Sequence, residues 1–441
     1  MSVFRERTDY ASWGRVIRAP HRVAHPRFPD QIEACLREHR DTGPVLPVGL
    51  RRSYGDTTTN AGNRLIDMTG LDRLISLDRN MGILRCEAGA SFDELLRLLV
   101  PLGWFLPTTP GTRFVTIGGA VASDIHGKNH HRAGSLGCSI RHLKLCRSDG
   151  APVVLLPQDP LFSATLGGLG LTGVITEVEL SLAPIRSAFL DVERIPFADI
   201  GEFFALAAES AAGFEHTVAW IDCANKGKSL GRGIFQRANW CEDGLLVPHK
   251  RRGGPAIPFD LPRGLLNGTT VRLFNSLYNS LQQRGPRVRK VHYAPFFYPL
   301  DSIRDWNRMY GKSGLYQYQC VIPPVTAKEG IRELVSVIAA SGAGSFLAVL
   351  KTLGPKQSGG LLSFPMEGAT LALDFPNRGA ETLALLSRLD RIVEETGGRL
   401  YPAKDGRMPA AMFRKGYPDW TRMQVLKDPM ISSDFWKRVS A

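Results

Sequence analysis

No stretch of this 441-residue chain stays apolar over the ~20 residues that a helix needs to cross a bilayer. The first residues, MSVFRERTDYASWGR, also lack the unbroken apolar segment of a secretory leader. Both absences point to the cytoplasm, with the periplasm left open. Cysteine is scarce and unpatterned: Cys35, Cys86, Cys138, Cys146, Cys223, Cys241 and Cys320 are scattered, with no C-x-x-C pair. That argues against a disulfide framework, a structural zinc or a dithiol redox motif. Acidic residues are outnumbered, 42 against 55 Lys and Arg, for a net charge of +13. Aromatic and basic residues do not interleave as they do on a nucleic-acid platform, so no nucleic-acid partner is expected.

Part of the positive excess sits in Lys250-Arg-Arg252 and in Arg284 to Lys290 (RGPRVRK). A solvated basic face is the ordinary explanation; anionic headgroups or a phosphorylated substrate are the functional ones. Residues 241–279 add Pro, Gly and short apolar pieces (GLLVPHK, GGPAIPFDLPRGLLNG). They read equally as a greasy, cationic lid facing a membrane and as an ordinary long loop. The rest is ordinary for a soluble enzyme, 43% hydrophobic and 22% charged, in a length that suggests two domains.

The most informative segments are Gly49-Leu-Arg-Arg-Ser-Tyr-Gly-Asp56, Pro110-Gly-Thr-Arg-Phe-Val-Thr-Ile-Gly-Gly119 and Asp124-Ile-His-Gly-Lys-Asn-His-His131. Clustered glycines let a phosphate or a ring approach the backbone, so these segments read as loops that wrap an anionic cofactor. Val45 to Val48 and Ile83 to Ala88 read as strands. Ser91 to Leu99 reads as a helix with a Ser cap and Glu94 three residues on, giving a mixed α and β pattern.

Two motifs are set aside. Gly168-Leu-Gly-Leu-Thr-Gly173 matches G-x-G-x-x-G, but a helical turn precedes it and an alternating strand follows, the reverse of a nicotinamide-binding fingerprint. His126, His130 and His131 have no accompanying carboxylate or cysteine set, and Gly127 argues against a shared helix face, so no metal is expected. Downstream, Gly314 to Pro323 reads as a strand with Gln317 and Gln319 on one face, suited to a polyhydroxyl ligand; an exposed strand face is the bland alternative. Lys351 ends another apolar strand and Lys404 sits in Tyr401-Pro-Ala-Lys-Asp-Gly-Arg407.

Together with Gly170-Leu-Thr-Gly173, Trp306-Asn307, Gln317-Tyr-Gln319, Asp374-Phe-Pro376 and Ala403-Lys-Asp405, these segments resemble flavoprotein oxidoreductases of the vanillyl-alcohol oxidase superfamily. Within it, the chain is similar nearly end to end to the polyprenylphosphoryl-ribose 2′-oxidases. HGKNHH and AKD are the specific elements; the glycine pairs alone are not. The resemblance implies an α+β fold with a vanillyl-alcohol-oxidase-type FAD-binding domain over residues 1–185. An antiparallel-sheet substrate-binding domain is inserted at 186–397, and 398–441 return to the FAD-binding domain.

It also implies site residues. Around FAD it places Gly49, Arg51, Arg52, Ser53, Tyr54, Gly55 and Asp56; Gly111, Thr116, Gly118 and Gly119; Ser123, His126, Gly127, Lys128 and Asn129; and Ile175 and Tyr401. Around substrate it places Lys128, Trp220, Tyr298, Gln317, Gln319, Lys351, Thr370 and Lys404. Oxidising a secondary alcohol needs a base for the hydroxyl proton while the cofactor takes the hydride. Lys404 is the first choice for that base, because a desolvated lysine is driven toward neutrality. His126 competes with it, and Tyr54 completes the catalytic set.

The implied partners are a polyprenylphosphoryl-ribose substrate and a reductase for the 2′-keto product. A peripheral inner-membrane contact through residues 250–252 and 284–290 is added by the basic segments. Two positions depart from the best-known members: the family cysteine falls at Ala372 and a nearby asparagine at Thr370. Insensitivity to cysteine-directed inhibitors follows. A sugar-lactone or alditol oxidase is the second reading; such enzymes often tether FAD through a histidine where this chain has Asp56, so noncovalent FAD is expected. A non-catalytic, basic membrane-binding flavoprotein is the remote third.

Overall fold

The first sheet is built from short runs, apolar at Val45–Val48 and charged and exposed at its edge strand Arg5–Arg7. In the computed structural model the strands Arg5–Arg7, His21–Ala24, Arg64–Asp67 and Val45–Val48 pair in that spatial order. The first pair is antiparallel and the other two are parallel. The structure describes residues 3–38, 43–250, 254–262, 264, 266–283 and 287–441. Arg251, Arg252 and Arg284, which belong to the two basic segments, lie outside the described residues.

A second, antiparallel sheet runs Leu74–Asp78, Ile83–Glu87, Val174–Ser181, Ile140–Cys146 and Val153–Leu155. Against it lies the helix Phe92–Leu99, capped as expected: the Ser91 hydroxyl accepts from Glu94 N–H and donates to its carboxylate at 2.7 Å. Gly168 to Gly173 follows the helix Pro160–Thr165 and precedes the strand Val174–Ser181, the order read from the sequence.

The third sheet has eight strands and is antiparallel throughout. Its order is Val288–His292, Phe189–Phe197, Gly233–Trp240, His216–Ile221, Ala348–Leu353, Gly368–Pro376, Leu315–Ile322 and Arg399–Leu400. The helices Ile200–Ser210, Pro324–Ser341 and Ala380–Glu395 bury their apolar faces in one core with Leu350, Leu371, Leu373, Tyr318 and Cys320. The sheet's other face is mixed: Leu190, Val192 and Ala238 join the core of the second sheet and Val321 and Leu353 pack with Phe364 and Tyr401, while the middle strands present polar side chains. The chain therefore has a mixed α and β fold dominated by antiparallel sheets.

One expectation meets a different structure. Residues 241–279 are not loop throughout, because Gly268–Gln283 is a helix. The signal was Asn267, whose side-chain oxygen accepts from the N–H groups of Thr269 and Thr270 and so caps it. At the far edge of the eight-stranded sheet, Arg399–Leu400 pairs with Cys320 and Val321. The chain then crosses to the first sheet: Val45 N–H donates to Met430 O, Ser432 N–H to Val45 O, and Ile431 and Phe435 are buried with Val45, Leu46 and Ile66.

Candidate active site

Antiparallel register puts a row of chemistry on one sheet face. Trp220 opposes Val349, Val349 opposes Ala372, and Ala372 opposes Gln319. Two residues along, Lys351 opposes Thr370, and Gln317 opposes Asp374. Side chains alternate in strands, so all of these face the same way. Gln317 donates to Asp374 Oδ1 at 2.7 Å, and Gln319 Nε2 donates to Thr370 Oγ1 at 3.2 Å and to His126 Nε2 at 3.0 Å. His126 arrives from the third glycine-containing segment and packs beside Phe364 and Tyr401, whose rings stack on each other, at 5.4 and 5.5 Å. The bond to Gln319 makes its Nε2 the acceptor and leaves the buried Nδ1 without a partner among the described residues.

Three lysines converge on this row. Burial first, then Lys351, lowers Lys128 to about 7. Burial and Lys404 lower Lys351 to about 8, and burial lowers Lys404 to about 8 against the opposing pull of Asp374. Burial raises the Asp374 carboxyl to about 7. His126 is held well below its ordinary value by burial, then by Lys351, His130 and Lys404. Mutually repelling ammonium groups out of water form a chamber that favours an anion. Lys128 Nζ donates to Phe296 O and sits 4.1 Å above the Phe296 ring; Lys351 Nζ donates to Gly127 O at 3.4 Å; Lys404 Nζ lies 4.3 Å above the Tyr54 ring.

The glycine segments meet behind this chamber. A Cβ on Gly49 would fall 2.1 Å from Thr116 Oγ1, and one on Gly55 1.4 Å from the carbonyl oxygen of Asp405. Tyr54 N–H donates to Ala403 O, which brings Tyr54 and Lys404 together. Arg51 takes a left-handed φ of 52° and stacks on Tyr10, while Arg52 stacks on Trp13 and donates to Phe114 O. Ser53 O accepts from Trp13 N–H. Thr116 caps the helix Ile117–Ala122, which contains Gly118 and Gly119 and ends at Ser123; Ser123 O accepts from Tyr401 Oη at 2.9 Å. Asn129 Nδ2 donates to Pro107 O, Tyr298 Oη lies 2.5 Å from Thr109 Oγ1, and Trp220 Nε1 donates to Phe346 O.

The described residues hold no cluster of His, Cys, Asp or Glu able to bind a metal ion, and no helix long and apolar enough to cross a membrane.

Comparison with known proteins agrees with this geometry. Residues 20–155 match the family model described as FAD binding domain. The chain is 36% identical, over 97% of its length and 96% of the relative's, to decaprenylphosphoryl-β-D-ribose oxidase of Mycolicibacterium smegmatis. The chain belongs to the decaprenylphosphoryl-β-D-ribose oxidase family of FAD-dependent oxidoreductases. Likeness to sugar-lactone enzymes is more distant: 23% identity to L-gulono-1,4-lactone dehydrogenase of Mycobacterium tuberculosis over 98% of both chains. A putative D-arabinono-1,4-lactone oxidase of Neurospora crassa is 28% identical over 42% of this chain and 34% of the relative.

Family membership makes the cofactor FAD, and the cradle fits it. Arg51 Nη1, Thr57 Oγ1 and Thr58 Oγ1 are buried beside the first glycine segment without partners among the described residues, donors suited to a diphosphate. The space beside Gly111 is open. The Asp56 carboxylate is held by Arg438 through two 2.8 Å bonds, and the Ile175 side chain is buried with Leu143, Leu145 and Val178. Asp374, which accepts from Gln317; Tyr310, buried with Tyr54; and Phe364, beside His126, join the expected residues. An aspartate inside the apolar strand ATLALDFP was the available signal for the first, since such a residue is seldom fully buried without a reason. Tyr310 and Phe364 arrive through tertiary packing and carried none. Cys320, next to Gln319, points to the opposite, helix-covered face and does not replace the thiol missing at Ala372.

Proposed function

We propose that this protein uses noncovalently bound FAD to oxidise the 2′-hydroxyl of a polyprenyl-phosphate-linked ribose to the 2′-keto sugar, with decaprenylphosphoryl-β-D-ribose as the type substrate. The observation that carries the reading is the shared sheet face on which Lys351, Thr370, Gln317 and Gln319 meet His126 and Lys404. Amides and a hydroxyl suit sugar hydroxyls, and ammonium groups suit the phosphate. Division into an FAD-binding domain of residues 1–185 plus 398–441 and an inserted substrate domain at 186–397 belongs to this reading. The packing of Ile431 and Phe435 against the first sheet supports it.

Bound FAD supplies the hydride acceptor. Lys404, drawn toward neutrality by burial, takes the hydroxyl proton. His126 is the weaker candidate: its Nε2 already accepts from Gln319, and burial depresses its basicity. Tyr54, under the Lys404 ammonium, fixes that side chain. Lys128 and Lys351 hold the phosphate, Gln317, Gln319 and Thr370 the ribose, and Trp220 and Tyr298 close the walls. A partner reductase consumes the keto sugar. The basic segments 250–252 and 284–290 bring the enzyme to the membrane that holds its lipid substrate.

The test is anaerobic mixing with polyprenylphosphoryl-ribose while following flavin absorbance, repeated with alditols and sugar lactones. Bleaching by the lipid-linked ribose alone is the expected result. Bleaching by free polyols or lactones would transfer the assignment to the second reading, which the lactone-dehydrogenase likeness keeps in view.

A further inference from the structure

The helix Gly268–Gln283 is oriented opposite to an ordinary surface helix. Its buried side carries Val271 and two amides, Asn275 and Asn279. Asn275 Nδ2 donates to Asp222 Oδ1 at 3.0 Å and to Ser345 O at 3.3 Å. Its outer side carries Leu273, Phe274, Leu277 and Leu281, exposed by 71, 46, 58 and 55%. Residues 273, 277 and 281 recur at helical spacing, so the leucines form one stripe. Contiguous exposed apolar surface of this kind marks a contact site.

We propose that this stripe is a docking surface for an anionic lipid bilayer, with the helix lying in the headgroup region and its leucines turned toward the acyl chains. Charge selects the occupant. Between Cys241 and Leu300 the sequence holds nine Lys and Arg against three acids, Glu242, Asp243 and Asp260. Arg272 is exposed on the same helix, and Arg289 lies just beyond it on the edge strand Val288–His292, where Arg287 and Lys290 are paired with Glu193 and Asp243. Apolar insertion combined with a basic surround is the two-part requirement for reversible binding to anionic membranes. A second copy of this chain would bring the same excess of cations face to face, which opposes self-association.

The stripe also adjoins the candidate site. Phe274 packs edge-on against Phe346 at 5.6 Å and stacks on Tyr278, which lies 4.8 Å from Trp220. The Trp220 indole in turn donates to Phe346 O. One aromatic row thus joins the outer face to the substrate-facing wall, and a bilayer seated on the helix would lie beside the chamber. This extends the membrane contact proposed above by giving it an apolar anchor. The test needs no substrate, so the oxidase reading stands or falls separately.

Flotation of the FAD-loaded protein with phosphatidylglycerol vesicles, against phosphatidylcholine vesicles, measures the contact. The wild type is expected to float with the anionic vesicles. The triple variant Leu273→Ser, Leu277→Ser, Leu281→Ser is expected to bind them about tenfold or more weakly, with flavin content and Tm unchanged because the replaced side chains are exposed. Phe274→Trp should show a vesicle-dependent shift of emission to shorter wavelength. Equal flotation of the triple variant, or no flotation of the wild type at low salt, would overturn the proposal. So would a wild-type dimer that the triple variant converts to monomer, which would assign the stripe to a second copy.

Discussion

Replacing Asp374 with Asn should make the protein more stable at alkaline pH and at the same time more acid-tolerant in catalysis. The carboxyl is 1% exposed, and burial raises it from 3.8 to about 7. A folded-state value above the unfolded one means that the group's stabilising contribution is complete below pH ~4 and is lost as pH climbs to about 7. At ~1.4 kcal/mol per pH unit, those roughly three units amount to ~4 kcal/mol. A chain of 441 residues unfolds with an entropy of about 0.9 kcal/mol/K, so Asp374→Asn should raise Tm by ~4 °C at pH 8. At pH 4 it should raise it by little or nothing. The asparagine oxygen can still accept from Gln317, which keeps the local geometry. Asp374 also raises Lys404, so without it Lys404 should fall below about 8. The acidic limb of flavin reduction against pH should move down. Thermal scans at pH 4 and 8 and a pH series of anaerobic reduction measure both effects. An equal Tm change at both pH values, or a limb that moves up, would refute the assignment of a strained carboxyl acting on Lys404.

Further outcomes are expected. Wild-type protein should form no adduct with a cysteine-directed inhibitor, whereas Ala372→Cys should gain one mass increment, read by intact-mass analysis; an adduct on the wild type would mean the register at Ala372 is wrong. Gly55→Ala should lose bound flavin and cost more than about 3 kcal/mol, because its Cβ would overlap the Asp405 carbonyl oxygen at 1.4 Å and backbone must move; flavin content per chain checks it. Anion binding should be coupled to proton uptake near pH 8, since a phosphate beside Lys128 and Lys351 would raise both from about 7 and about 8. Calorimetry in buffers of different ionisation enthalpy would detect that uptake. Arg438→Met should destabilise by on the order of 3 kcal/mol, leaving the buried Asp56 carboxylate without its partner.

What could be read in advance was local. Ser91 and Glu94 announce a helix start, Gln317 and Gln319 share a face by alternation, and the reversed order around Gly168 is visible without coordinates. Nonlocal pairing was not legible. Nothing near Arg399–Leu400 says that it edges a sheet whose next strand lies nearly eighty residues earlier in the chain. The helix Gly268–Gln283 was hidden because its leucines face out and its asparagines face in, inverting the pattern on which periodicity rests. Asp374 is visible in the sequence only as part of Asp374-Phe-Pro376: an acid among apolar strands shows its purpose only when Gln317, Tyr54 and Lys404 are brought around it.

The clasp between Asp56 and Arg438 spans 382 positions of sequence. At ~10 residues per second, a ribosome needs on the order of half a minute to travel from one to the other. During that interval the first glycine segment exists without the Asp405 carbonyl that fills the space beside Gly55 and without the Arg438 guanidinium. The nucleotide pocket therefore takes its finished form only after translation has passed residue 438.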